Sequence, residues 1–351
     1  MEKFILAGCD LHDRSMLIAV SHGSGPVRTR TFANTASGRA SVLKWLRELA
    51  PETPLVFAYE ASGLGFGLYD EFSAAGLRCH VLAPSRIGRS PQQRCNKTDE
   101  KDARQILEVL RGHYLAGNAL PSIWIPDAVT RDAREVLRAR LDTQAKCSRV
   151  KTQIRTLLKR NGLTRPDGAG AGWTLAYRKW LKAVSCCDEP LAPGARTTLA
   201  SLLRQMEMLE QEVKLLDGHV LSLMQSARYE QPAKAVMALA GVGVLTALVF
   251  LTEMGDLKRF KNRRQIGAFL GVVPRAHESG ESSDRKGRIT KQGPARVRHV
   301  LCQAAWNRVR TDPHERQLYE RLVAKNPKCK KKALVAVMRR LAIRMWHAAV
   351  A

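Results

Sequence analysis

Two hydrophobic periods alternate along the first hundred residues, and that alternation confines them to a sheet covered by helices. Lys3–Cys9 and Ser15–Ser21 are short apolar runs, and residues 27–32 (VRTRTF) alternate with period two; all three read as strands. Residues 37–50 then place Val42, Leu43, Leu46 and Leu49 at helical spacing. Leu55–Tyr59 reads as a fourth strand, Leu68–Ala75 as a helix, Cys79–Leu82 as a fifth strand and Asp99–Arg111 as a helix. The predicted order is βββαβαβα, an α/β layer architecture.

Beyond residue 125 the pattern is helical. Residues 128–161 predict one long basic helix with Leu137, Leu141, Val150, Ile154 and Leu157 along its apolar stripe. A Gly/Pro-containing stretch, 162–172, follows. Leu199, Leu202, Met206, Leu209, Val213, Leu216, Val220 and Leu223 then repeat at 3-4-3-4-3-4-3 spacing, an uninterrupted heptad seam. Such a seam serves either an antiparallel hairpin packed on itself or a coiled coil between chains. Leu239–Leu245 carries a Gly-Val-Gly turn of the kind that lets backbone N–H groups approach a phosphate. A polar segment, 277–293, interrupts the last helical region, and Pro294 is suited to the first turn of the helix that follows. Three domains are expected: 1–125, α/β; 126–228, the basic helix and coiled-coil segment; and 229–351, all-α with a serine-containing loop.

Charge narrows the partners. The chain carries 58 Lys and Arg against 32 Asp and Glu, a formal net charge of +26. Residues 1–110 are nearly balanced, at +2, so the excess resides almost wholly in the remainder. An excess of this size implies a polyanion, with nucleic acid the default. Ten cations and three acids lie between 131 and 160. Arg149, Lys151 and Arg155 are the residues expected to hold a phosphate backbone there. No apolar run approaches the ~20 residues needed to cross a bilayer, and the N-terminus lacks signal-peptide character. The eight cysteines form no C-x-x-C and no zinc spacing. A cytoplasmic, nucleoid-associated protein with reduced thiols and no membrane partner is expected.

Four carboxylates are the candidate chemistry. Asp10 follows the first strand, Glu60 follows the fourth, and Asp99 and Asp102 share one face of a helix. In a ribonuclease-H-like sheet the first and fourth strands are neighbours, and their ends lie near that late helix. Four clustered carboxylates need a cation, and hard oxygen donors suit Mg²⁺, one ion or a pair. Asp99 and Asp102 also have a plain structural explanation, since acids favour helix N-termini.

These residues also carry a resemblance. Gly8-Cys9-Asp10, residues 59–63 (YEASG) and residues 96–104 (NKTDEKDAR) resemble the DEDD blocks of the IS110-type insertion-sequence transposases. The resemblance continues at Gly241–Gly243, at residues 269–274 (FLGVVP) and at Glu278-Ser279-Gly280, and so covers nearly the whole chain. It implies a RuvC-like N-terminal domain, a helical C-terminal transposase domain and recombination of donor and target DNA guided by a bridge RNA. It further implies Mg²⁺ on Asp10, Glu60, Asp99 and Asp102, and a serine that attacks the phosphodiester to form a phosphoserine. By its place in Glu-Ser-Gly that serine resembles Ser279. The sequence departs from the pattern at Glu281-Ser282-Ser283, which adds two hydroxyls, so Ser279, Ser282 and Ser283 all stay in play. Arg285, Lys286, Arg288 and Lys291 would hold the phosphate. Resemblance also implies a homo-oligomer, a tetramer built as a dimer of dimers. The catalytic serine is expected to dock on the carboxylates of another subunit.

Two other readings compete with the recombinase. A Holliday-junction-type nuclease would need the carboxylates but no serine, and a non-catalytic nucleic-acid-binding protein would need neither. A covalent protein–DNA adduct separates the first from the second, and Mg²⁺-dependent strand cleavage separates both from the third.

Overall fold

A computed structural model describes residues 4–49, 52–88, 98–279 and 282–351, and leaves the side chains of 276–279 and 282–286 undescribed. By contact the chain parts into two compact units, Met1–Ile125 and Pro126–Ala351.

The first unit is a five-stranded sheet with helices. Its strands are β1 (Ile5–Leu11), β2 (Ser15–His22), β3 (Arg28–Ala33), β4 (Leu55–Glu60) and β5 (Arg78–Leu82), in the order β3-β2-β1-β4-β5. The first three run antiparallel to one another, whereas β4 is parallel to β1 and β5 is parallel to β4. The helices are α1 (Ala36–Leu49), α2 (Gly67–Ala74) and α3 (Asp99–Ala116). The predicted element order therefore holds, and the first and fourth strands are neighbours.

Strand alternation divides the core into two layers. Ile5, Ala7 and Cys9 on β1, with Phe57 and Tyr59 on β4, pack with Val42 and Leu46 of α1 and Phe72 of α2. Leu6 on β1 and Val56 and Ala58 on β4 pack on the other face with Ala103, Ile106, Leu107 and Leu110 of α3. Gly8 lies on this second face. A Cβ there would stand 2.5 Å from both the Ala103 carbonyl oxygen and the Leu107 nitrogen, so α3 sits directly on the β1 backbone.

The second unit is helical apart from one hairpin. Its helices are α4 (Ala128–Arg160), α5 (Leu175–Cys186), α6 (Pro193–Met224), α7 (Glu230–Met237), α8 (Val244–Met254), α9 (Arg263–Phe269), α10 (Ala295–Thr311), α11 (Pro313–Lys325) and α12 (Lys330–Val350). Helices α4 and α6 pack antiparallel. Ile154 and Leu157 of α4 share a core cluster with Leu199 and Met206 of α6, while Leu137 of α4 clusters with Val220 of α6. Much of the heptad seam is thus covered within the chain.

Local chemistry fixes the ends of these elements. Asp127 caps α4 by accepting from the Thr130 amide, and Thr174 caps α5 by accepting from the Tyr177 amide. Glu315, 1% exposed, ties α11 to its neighbours through Arg308 of α10 at 3.5 Å and Arg340 and Arg344 of α12 at 3.2 and 3.0 Å. Gly241 has a φ of 85°, and a Cβ there would lie 2.9 Å from the Ala304 carbonyl and the Arg308 amide. In the Gly-Val-Gly turn, Gly241 thus lets helix α10 approach the backbone closely, while Gly243 faces open space.

The polar segment after residue 273 is not a loop. It forms an antiparallel hairpin of β6 (Pro274–Ser279) and β7 (Ser282–Ile289), with Ser279 paired to Ser282. The hairpin's base is clasped tightly. A Cβ at Gly293 would stand 1.8 Å from the Phe269 carbonyl oxygen, and one at Gly271 would stand 2.1 Å from that of Gln292. Arg298 of α10 donates to the carbonyls of Leu270, Gln292 and Gly293 at 3.0–3.3 Å.

Candidate active site

Register and parity together build the carboxylate site. Cys9 pairs with Tyr59 in the parallel β1–β4 ladder, so Asp10 and Glu60 come one step later on adjacent strands. Both share parity with Leu6, Val56 and Ala58, the residues on the α3 face. Asp10 is thus one residue inside β1, which ends at Leu11, rather than beyond it as the sequence suggested. The first turn of α3 supplies Asp99 and Asp102, and Thr98 caps that turn by accepting from the Lys101 amide at 3.3 Å. Asn96 and Lys97, also singled out in the sequence, lie outside the described residues. Asp102 is 6% exposed, an unusual burial for an acid.

Electrostatics bring three of the four together. Burial pushes the Asp10 carboxyl above its ordinary range; His12 opposes this, and the charges of Asp102 and Asp99 add to it. Two other carboxylates therefore act on Asp10 at close quarters, the condition under which a cation is stabilising. Sequence reasoning missed His12. Its Nε2 stands 3.0 Å from Asp10 Oδ2 and 3.5 Å from Asp99 Oδ1. One donor atom from each of Asp10, His12 and Asp99 lies within 4.8 Å of the others. Ligands ~2.0–2.6 Å from one cation are separated by about this much, so the group fits a divalent ion. An open cleft of about 650 Å³ beside it is lined by His12, Arg14, Ser15, Ser62 and Gly63, where the chain leaves β1 and β4.

The cations of α4 divide into two sets. Arg138 grips the Glu253 carboxylate at 3.0 and 3.2 Å, Arg140 grips Asp217 at 2.7 and 3.2 Å, and Arg134 donates to the Thr252 carbonyl at 2.9 Å. Lys151 is committed to Glu210 at 2.7 Å, an acid that Arg178 also holds at 2.6 Å. These cations hold the second unit together. Arg149, Arg155, Lys159 and Arg160 are exposed along the C-terminal half of the helix. Arg155 lies over the Trp173 ring at 5.5 Å.

The hairpin carries the remaining candidates. Ser279, Ser282, Ser283, Arg285 and Lys286 lie on β6 and β7, with side chains outside the described residues. Arg288 is exposed at the end of β7. Lys291 follows in a left-handed conformation, with φ 56° and its amide donating to Gly271 at 3.0 Å.

Comparison with known proteins gives the site its context. A DEDD transposase family model matches residues 7–161, and the model of the IS116/IS110/IS902 transposase family matches residues 233–320. The chain is 31% identical to the protein y4qE of Sinorhizobium fredii, which carries a transposase name, over 87% of this chain and 71% of that one. It is 23% identical to the transposase for insertion sequence element IS1533 of Leptospira borgpetersenii, over 87% and 86%. With the transposase for IS1111A of Coxiella burnetii it shares 27% identity, over 70% and 64%. A DEDD transposase implies DNA substrates and a divalent metal, and among the described residues no helix is long and apolar enough to cross a membrane. The chain belongs to the IS110-type DEDD family and is an insertion-sequence transposase.

Proposed function

We propose that this transposase is an RNA-guided DNA recombinase using Mg²⁺-dependent chemistry and a covalent phosphoserine. The observation that carries the metal-dependent part is the juxtaposition of Asp10, Glu60, Asp99 and Asp102 on one sheet face and one helix turn. These four residues would hold the cation, which when bound supplies Lewis-acid polarisation of the phosphate. Arg14, in the adjoining cleft, offers positive charge to the DNA backbone.

The covalent part rests on Glu278-Ser279-Gly280 and its place on the hairpin. Ser279 Oγ would form a bond to phosphorus as the bond from phosphorus to the sugar oxygen breaks. The serine proton passes to a neighbouring base, and the leaving sugar oxygen takes one up. Reversal of these transfers on a new strand rejoins the DNA without loss of the phosphodiester energy. Arg285, Lys286, Arg288 and Lys291 on and beside the hairpin would hold the phosphate. Ser282, across the hairpin from Ser279, is the first alternative nucleophile and Ser283 the second.

A bridge RNA would be held by its backbone along the exposed cations Arg149 and Arg155, with Lys151 as an inner support. Assembly as a tetramer, with a serine from residues 229–351 meeting carboxylates from residues 1–125 of another subunit, would make cleavage depend on assembly. Met208 and Leu215, seven residues apart on α6 and 63% and 64% exposed, are the apolar surface such assembly would cover.

A suicide DNA substrate tests the reading. The wild-type protein should form a covalent adduct that Ser279→Ala loses while keeping nucleic-acid binding. An adduct intact in Ser279→Ala moves the nucleophile to Ser282 or Ser283, and cleavage without any adduct favours the nuclease. Mixing Ser279→Ala with Asp10→Ala subunits should restore activity if the site is shared between chains. The RNA that copurifies with the protein tests guidance directly.

A further inference from the structure

Building on the carboxylate reading above, we propose that His12 is a nitrogen ligand of the divalent cation held by Asp10 and Asp99, and that this nitrogen gives the site a preference for Mn²⁺ over Mg²⁺. Position carries the first part. The His12 Nε2 lies between two carboxylates 89 residues apart in sequence, 3.0 Å from one and 3.5 Å from the other. Octahedral ligands ~2.1 Å from a cation lie ~3.0 Å apart at neighbouring corners, which is the separation from Asp10 and half an ångström less than that from Asp99.

The backbone holds the ring in that place. The His12 amide donates to the Ser15 carbonyl at 2.9 Å, and the His12 carbonyl accepts from Asn34 Nδ2 at 2.9 Å. Both polar groups of this residue are thus tied, one to the start of β2 and one to the chain after β3. The side chain is 45% exposed and lines the cleft beside β1 and β4.

The metal preference follows from donor chemistry. Mg²⁺ dehydrates reluctantly and takes oxygen donors, whereas Mn²⁺, itself served by oxygen donors, opens the first-row series whose later members bind imidazole. As a ligand, His12 would turn the Nε2 lone pair to the cation and keep its ring N–H at Nδ1. Asp10 and His12, now joined by a hydrogen bond, would then share the ion.

Pulsed electron paramagnetic resonance of the full chain loaded with Mn²⁺ alone tests this directly. A coupled ¹⁴N nucleus is expected in the wild type, absent in His12→Gln and His12→Ala. The Mn²⁺ dissociation constant should rise roughly tenfold in His12→Gln while that of Mg²⁺ shifts less than about twofold. Melting curves of both variants establish that they are folded. Mn²⁺ bound without nitrogen coupling, yet lost in Asp10→Asn, overturns the His12 assignment and leaves the carboxylate site standing. Mn²⁺ binding indifferent to Asp10→Asn overturns both.

Discussion

Gly8 of β1 lies beneath the backbone of Ala103 on α3, so close that a Cβ on the glycine would stand 2.5 Å from the alanine's carbonyl oxygen. This contact sets how deeply α3 seats on the sheet, and α3 delivers Asp99 and Asp102 to Asp10. A methyl group at this point must lift the helix, because backbone on both sides cannot yield. Gly8→Ala should therefore cost about 1–3 kcal/mol of stability and weaken divalent-cation binding as well. Thermal melting with and without Mn²⁺ measures both. A variant with wild-type melting and wild-type metal response would show that helix seating does not govern the site.

The buried acid gives an opposite expectation. Asp102 adds to the repulsion around Asp10, so Asp102→Asn relieves like-charge strain while removing a proposed ligand. Without divalent cation the variant should melt at or above the wild-type temperature, with a gain of up to about 1 kcal/mol. Strand cleavage should nevertheless be abolished, as it should in Asp10→Ala, Glu60→Ala and Asp99→Ala. Near-wild-type recombination by Asp99→Ala would remove that residue from the site.

Nucleic-acid affinity should separate the two sets of cations on α4. Arg149→Glu and Arg155→Glu act on exposed positions and should each lower the salt slope of binding by about one, with little change in melting. Lys151→Glu should destabilise the fold instead, because it replaces a cation with a second negative charge beside Glu210. Filter-binding titrations over a range of salt concentration, paired with melting curves, distinguish these outcomes. Equal slopes for wild type and the Arg149/Arg155 double reversal would exclude this face from the nucleic-acid interface.

Acid stability should report the same pair. Arg178, then Lys151, holds the Glu210 carboxyl down to about 2, against burial, which opposes the shift. A depressed folded-state value means that the contribution is complete above the unfolded value of about 4.5 and is lost as pH falls toward 2. After solvent screening the effect amounts to roughly 1–2 kcal/mol. Denaturant unfolding between pH 6 and 2.5 should show a shallower decline for Glu210→Gln than for the wild type. Parallel curves would mean that the ion pair contributes nothing net.

The α/β half of the fold was legible because its strands face two cores and its helices one, so hydrophobic period and local structure agree from Ile5 to Leu82. The same agreement made Asp10 and Glu60 visible as acids at strand ends. His12 was invisible for a physical reason: its proximity to Asp99 depends on where α3 lands, which no local pattern encodes. The inner pairing of α4 was hidden likewise, since Arg140 and Arg138 find their acids 77 and 115 residues away. The 274–289 hairpin escaped notice because charged and hydroxyl residues fill its β7 strand and leave no apolar alternation to read.

Parallel pairing of β1 with β4 has an evolutionary corollary. Asp10 and Glu60 are matched by ladder register, and the forty-odd residues between their strands, which form β2, β3 and α1, do not set that match. Insertions or deletions between β2 and β3, or between α1 and β4, would therefore leave both acids where they are. A single-residue deletion between Ile5 and Asp10 would turn Asp10 toward Phe57 and Phe72 and end the chemistry at once. Length variation among related elements should accordingly accumulate in residues 23–27 and 50–54 and be absent from the two short runs that carry the acids.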